Sequence, residues 1–247
     1  MLSRRTTAQI AGGLYLLTHV TSVAAVLLYG GLGFDPDAAL AGRSPVLLGG
    51  LLEIVLALAV TGTGMALYPL VRAYSHAVAA GYLALRALES SVILTGVAVL
   101  LPLVARPATQ AAPGLSAEAA QALRLVHDWT FLIGPGLIVP IHTVLLAILL
   151  HRWRLVPRVI SVLGLIGGPL VGAGNLLVMF GLTAPLAAAA IPVFAWELGL
   201  AFTLIAGGLP AVPTLPAVPT LPAVPTLPAV PTEPAVPTVP TVRAGDG

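Results

Sequence analysis

The sequence predicts an all-α membrane protein: a bundle of six transmembrane helices followed by a disordered proline-rich C-terminal tail. Three observations predict it. Of the 247 residues, 58% are hydrophobic and only 8% charged, against roughly 25% charged in ordinary soluble domains, so water cannot be the solvent for most of the surface. The apolar residues fall into six runs. Each is close to or above the ~20 residues that a helix rising ~1.5 Å per residue needs to cross a ~30 Å hydrocarbon layer. From Leu209 onward the composition changes to a proline-dense repeat. The chain is therefore read as a six-span domain over residues 1–208 and a tail over residues 209–247.

The spans follow in order. Arg4 and Arg5 precede an apolar run over residues 8–32. It is longer than the roughly 7 to 15 residue apolar centre of a signal peptide, so it is read as a retained first span. A connector holding Asp35, Pro36, Asp37 and Arg43 leads to the second span, residues 45–70, with Glu53 inside it and Arg72 directly after. The third span, residues 76–105, carries Arg86 and Glu89 in its apolar middle. Pro107, Pro113 and Gly114 break the next connector, and Ser116 is expected to start a short helix with Glu118 in its first turn.

Gly134, Pro135, Gly136 and Pro140 interrupt the fourth span, residues 126–150. A proline inside a helix removes a backbone donor and crowds the preceding turn, which predicts a kink. Such interruptions survive at membrane depth where neighbouring helices or a cavity satisfy the freed groups. After His151, Arg152, Arg154 and Arg158 comes the fifth span, residues 159–182, with Gly164, Gly168 and Gly172 at four-residue spacing and Asn175 beyond them. Small residues at that spacing let helices approach closely. The sixth span, residues 184–206, contains Glu197 and ends at Gly207 and Gly208.

The tail is four LPAVPT hexads, one EPAVPT hexad and a short end. Proline every third residue matches the three residues per turn of polyproline II, so thirty such residues would extend over roughly 90 Å. An expanded repeat without a selected role is favoured over a spacer or a ligand for a proline-binding groove, because no basic anchor adjoins the hexads on either side. Removing residues 209–247 is expected to leave insertion and folding intact, since proline cannot supply the backbone donors a packed segment needs.

Charge and residue usage exclude several classes. With no cysteine, disulfides, thiolate metal sites and cysteine nucleophiles drop out. All eleven basic residues are arginine, as a GC-rich genome would encode. The net charge of +2 comes from groups scattered beside spans, which leaves no basic patch for nucleic acid. Arg4, Arg5, Arg72, Arg152, Arg154, Arg158 and Arg243 fall on one side of a six-span protein, Arg43, Arg106 and Arg124 on the other. By the positive-inside rule both termini are expected in the cytoplasm.

The ionisable residues within spans are the candidate site. A charge at the centre of a span costs at least ~2.5 to 3.5 kcal/mol on insertion scales, so such groups turn inward and pair. Arg86 and Glu89 stand three residues apart on one helix face and can pair directly. Counting from span ends, they lie roughly 10 to 15 Å below the cytoplasmic face, with Glu197, His19 and His142 near the same layer and Glu53 nearer the opposite side. The expected polar cluster is thus Arg86, Glu89, Glu197, Glu53, His19 and His142, with Arg86 held by Glu89 and Glu197 and the third and sixth helices as neighbours. More carboxylates than cations in a low-dielectric layer require that some proton be held there. His127 and Asp128 at the start of the fourth span form a second, outer polar site.

Such a cluster fits a proton or cation relay or the floor of a ligand cavity, and equally a polar lock between helices. The expected function is therefore a non-enzymatic membrane protein: a carrier of a small solute or proton, or a structural or regulatory partner of other membrane proteins. Its surroundings are the lipid bilayer and its ligand a small solute or lipid. A metal-dependent intramembrane hydrolase is the alternative. No HxxxH or similar ligand spacing supports a metal, and no cofactor fingerprint, phosphate loop or GxSxG motif is present. The first three spans do not resemble the last three, which argues against an inverted-repeat transporter.

Five segments carry a family resemblance: AGGLYLLTHVTSVAAVLLYG in the first span, GYLALRALESSVIL around Arg86 and Glu89, HDWTFLIGPG, RWRLVPRVISVLGLIGGPL and PVFAWELGLAFTLIAGG. They resemble the bacterial membrane family catalogued as domain of unknown function 4386, over about residues 5–208. Arg86, Glu89, the LVPR turn ending at Arg158 and Glu197 match its pattern, whereas the hexad tail lies outside it. The resemblance implies six helices and a bacterial inner-membrane location. It implies no catalytic residues, because the family has no established activity.

Overall fold

The computed structural model of the protein describes residues 2–29, 43–103 and 117–210. The proline-rich repeat from Ala211 onward, most of the connector before the second span and the stretch around Pro107, Pro113 and Gly114 lie outside the described residues. Seven α-helices make up the described architecture: α1 (Arg4–Leu28), α2 (Arg43–Val71), α3 (His76–Leu100), α4 (Ala117–Ile133), α5 (Val139–Arg152), α6 (Arg158–Met179) and α7 (Ile191–Ala206). A π-helical turn, Gly134–Ile138, joins α4 to α5. No strand occurs among the described residues. Six continuous helical segments are long and apolar enough to cross a membrane, with α4, the π turn and α5 forming the fourth.

Local chemistry sets the helix ends. Ser3 begins α1 by accepting from the Thr6 amide at 3.0 Å, and Ser75 begins α3 by accepting from the Val78 amide at 3.3 Å; each satisfies a donor that has no carbonyl four residues before it. The short helix expected from Ser116 is a correction: Ala117 starts a helix that continues without interruption to Ile133. Nothing between Ala117 and Ile133 is glycine or proline, so the helical pattern has no reason to stop at the polar-to-apolar transition. The helix breaks only where Gly134, Pro135 and Gly136 impose the π turn.

The helices pack as a ring in which α1 lies beside α2 and α7, α2 beside α3, α3 beside α4 and α5, and α6 between α5 and α7. Tyr74 and Trp153 rings lie 5.5 Å apart, and the Pro210 carbonyl accepts from Arg4 at 3.3 Å and from Tyr74 at 2.6 Å. The two helix-to-helix turns after α2 and α5 therefore share one end of the bundle with the start of α1 and the exit of α7. Leu209 is part of the apolar core. Leu209 and Pro210 thus make contacts that a deletion from Leu209 would remove.

The α6 glycines work as a contact stripe. A Cβ on Gly164 would lie 2.9 Å from the Ala147 side chain, one on Gly168 3.0 Å from the Pro140 carbonyl oxygen, and one on Gly167 2.6 Å from the Val193 amide. Only hydrogen at these positions lets α6 close against α5 and α7 together. Outward-facing Leu58, Met65, Ile141 and Val159 are exposed. Apolar residues on both faces are what a span surrounded by lipid requires.

Candidate functional site: a buried arginine beside an intramembrane cavity

The buried face of α3 runs through Ala79, Tyr82, Arg86, Glu89, Ser90, Ile93 and Val97, the three- and four-residue spacing of one helix side. Arg86 and Glu89 are therefore carried inward by the same periodicity that buries Tyr82 and Ile93. Arg86 is 2% exposed. Its Nη1 lies 3.2 Å from Glu89 Oε2 and 3.7 Å from Glu197 Oε1, while Nε donates to Thr63 Oγ1 of α2 at 2.9 Å. The guanidinium also stands 5.3 Å from the Tyr15 ring centroid and 5.9 Å from that of Tyr82, close enough for attraction between the cation and the ring faces. The two tyrosine hydroxyls hydrogen-bond to each other.

Two histidines complete this group. His142 Nε2 donates to Glu89 Oε2 at 2.9 Å, so Glu89 is held from two helices. His19 Nδ1 donates to the Tyr15 carbonyl at 2.8 Å, leaving Nε2 3.6 Å from Glu197 Oε2. The tautomer follows from the acceptor: with Nδ1 already protonated, Nε2 carries a proton only when the ring is an imidazolium. A bare Nε2 facing a carboxylate is repulsive, so the His19–Glu197 contact is favourable when one proton resides on either the ring or the carboxyl.

A ~290 Å³ cavity opens beside these groups, walled by His19, Arg86, Glu89, Glu197 and Glu53 on its polar side and by residues such as Leu56, Ile93, Phe131 and Phe194 on its apolar side. Arg86 Nη2 and His19 Nε2 are buried without a hydrogen-bond partner. A buried donor normally finds a partner, so these two atoms and the Glu197 carboxylate constitute an incomplete polar site.

Of the residues the sequence singles out, Arg86, Glu89, Glu197, His19 and His142 meet in this group. Glu53 stands apart, with both its oxygens 3.2 and 3.3 Å from His127 Nε2. His127 Nδ1 in turn lies 3.5 Å from Asp128 Oδ1, and Asp128 is 3.8 Å from Arg124. The helix arrangement also differs from expectation. α3 and α7 do not pack side by side; the arginine side chain is long enough to reach Glu197 across the middle of the ring. Sequence reasoning missed Tyr15, Tyr82 and Thr63. The signal was there in principle, as polar atoms inside apolar runs, but nothing in one sequence says which such atoms converge.

Asn175 is a further case. Pro140 has no amide hydrogen for the Gly136 carbonyl four residues earlier, and Asn175 Nδ2 donates to that carbonyl at 3.2 Å. Neighbouring α6 thus repairs the break in the fourth span. Among the described residues no three histidine, aspartate or glutamate side chains converge where a metal ion could be held.

Neither the curated proteins nor the solved structures contain a match to this chain. A family model described as a domain of unknown function, number 4386, matches residues 10–208. That match begins within the first membrane-crossing helix, covers the other five and includes every residue of the Arg86 and Glu53 groups, and on it the chain belongs to the family of domain of unknown function 4386.

Proposed function

We propose that this protein is a non-enzymatic, proton-coupled carrier that binds a small solute in the Arg86 cavity, in a bacterial inner membrane with both termini cytoplasmic. One observation supports it: the cavity is walled by Arg86, His19 and Glu197, and Arg86 Nη2 and His19 Nε2 are buried beside it without a hydrogen-bond partner. A ligand or water that accepts from Arg86 and donates to Glu197 would complete the site. A proton resident on His19 or on Glu197 supplies the coupling, because a ligand that takes over either partner changes where that proton sits. The hydrolase alternative has less support: the guanidinium of Arg86 lies among these histidine–carboxylate pairs, and a fixed positive charge there opposes a second cation.

The test uses full-length protein in liposomes enclosing a pH-sensitive dye, challenged with small carboxylates, amines and neutral solutes. One class is expected to move protons with it, and Glu197→Gln to abolish the movement. If no class does so, and the Arg86→Leu, Glu197→Leu double variant supports normal growth, the cluster is a polar lock and the carrier reading fails. A periplasm-only reporter active after Arg243 would overturn the orientation.

A further inference from the structure

The second polar group lies toward the other end of the bundle, and its geometry differs from that of an ion pair. His127 carries a carboxylate at each ring nitrogen: Glu53 at Nε2, 3.2 and 3.3 Å away, and Asp128 at Nδ1, 3.5 Å away. A neutral imidazole has a single N–H, so it can satisfy only one of two ionised carboxylates. One further proton, resident on the ring or on a carboxylate, lets the ring face both at once, and it is movable along the line by exchanging which nitrogen holds it.

The ends of that line have opposite environments. Asp128 is 54% exposed on its side chain and Glu53 only 2%. Glu53 is also on the wall of two cavities: the ~290 Å³ space it shares with Arg86, His19 and Glu197, and a ~450 Å³ space it shares with Tyr29, Arg124, His127 and Asp128. At ~30 Å³ per water the inner space has room for several molecules between Glu53 and Glu197.

The other groups around His127 leave the line open. From the end of α1, Tyr29 presents a ring 5.7 Å away; burial first, and then the adjacent Glu53 carboxylate, raise its phenol well above the ordinary value, so it stays neutral. From α4 itself come Asp128, Arg124 paired to Asp128 at 3.8 Å, and the uncharged Phe131. α3 faces it at Gly96, where a Cβ would lie 3.3 Å from the imidazole.

We propose that Asp128, His127 and Glu53 form a proton relay that carries protons between the aqueous surface at the α4 end of the bundle and the Arg86 cavity. A proton arriving at Asp128 bonds to His127 Nδ1, the proton on Nε2 passes to Glu53, and from Glu53 it crosses the inner cavity to the His19–Glu197 pair; no other bond is made or broken. The relay rests on the reading of the cavity as proton-coupled.

Time-resolved infrared spectroscopy on the full-length protein in nanodiscs tests both readings separately. A light-released proton pulse should raise a protonated-carboxyl band that is absent from Glu197→Gln. Asp128→Asn and His127→Gln should each slow that rise by about a hundredfold, at the low end of what a positioned proton-transfer group contributes, without changing its final amplitude at equilibrium. Asp128 sits on the half-exposed rim, so its variant keeps the test available if His127→Gln fails to fold. An unchanged rate in Asp128→Asn, or in a folded His127→Gln, overturns the relay while leaving the proton-coupled cavity standing. Absence of any Glu197-dependent band in the unsubstituted protein overturns both.

Discussion

The Arg86 group and the Glu53 group are both buried polar assemblies in an apolar bundle, yet they solve the charge problem differently. Arg86 is permanently ionised and is surrounded by Glu89, Glu197, Thr63 and two tyrosine rings drawn from four helices. Its charge cannot leave, so its neighbours must stay. Glu53 and His127 can each become neutral by moving a proton, and their third member, Asp128, touches the surface. Fixed charge is held by enclosure, whereas titratable charge needs only a proton and a route for it.

If that difference is real, removing the fixed charge should have the largest effect. Arg86→Leu leaves Glu89 and Glu197 without their cation inside the apolar bundle, and an uncompensated buried charge typically costs ~3 to 5 kcal/mol. The loss should appear as a large drop in thermal stability of the purified protein. Because Glu89 is the nearer partner at 3.2 Å against 3.7 Å for Glu197, adding Glu89→Leu should restore more stability than adding Glu197→Leu. Equal restoration by either, or simple additivity, would show that the arginine is not specifically held.

The titratable group should respond less. His127→Phe keeps the ring packed near Tyr29 and Phe131 but leaves Glu53 without its donor, and Glu53 can take up a proton in response; the loss should be that of an unsatisfied buried polar group, ~1 to 3 kcal/mol. A loss as large as that of Arg86→Leu would dissolve the contrast between the two groups.

The smallest effect should come from Asp128→Asn. Its ion contacts at 3.5 and 3.8 Å are exposed on one side, and exposed pairs contribute ~0 to 1 kcal/mol. Stability should stay nearly unchanged even where proton delivery slows, which separates a role in transfer from a role in folding. A loss as large as that of His127→Phe would mean that Asp128 is structural.

The sequence by itself determined the solvent, the number of crossings and the presence of charge within them. Run length against bilayer thickness yields six spans because backbone hydrogen bonding in lipid permits only helices or closed barrels, and the buried face of α3 follows from helical period alone. Even the local failures had physical markers, since Pro140 announced a freed carbonyl at Gly136. What a sequence does not encode locally is which distant group meets which. Asn175 supplies the Gly136 carbonyl, Thr63 and two tyrosines close around Arg86, and Glu53 joins His127 and not Arg86. Each of these was decided by rotation and register of whole helices, set by packing contacts summed over many residues. Tertiary packing also decided that Arg86 reaches Glu197 without α3 and α7 touching along their lengths, because a ring of helices leaves a space at its centre that only a long side chain spans.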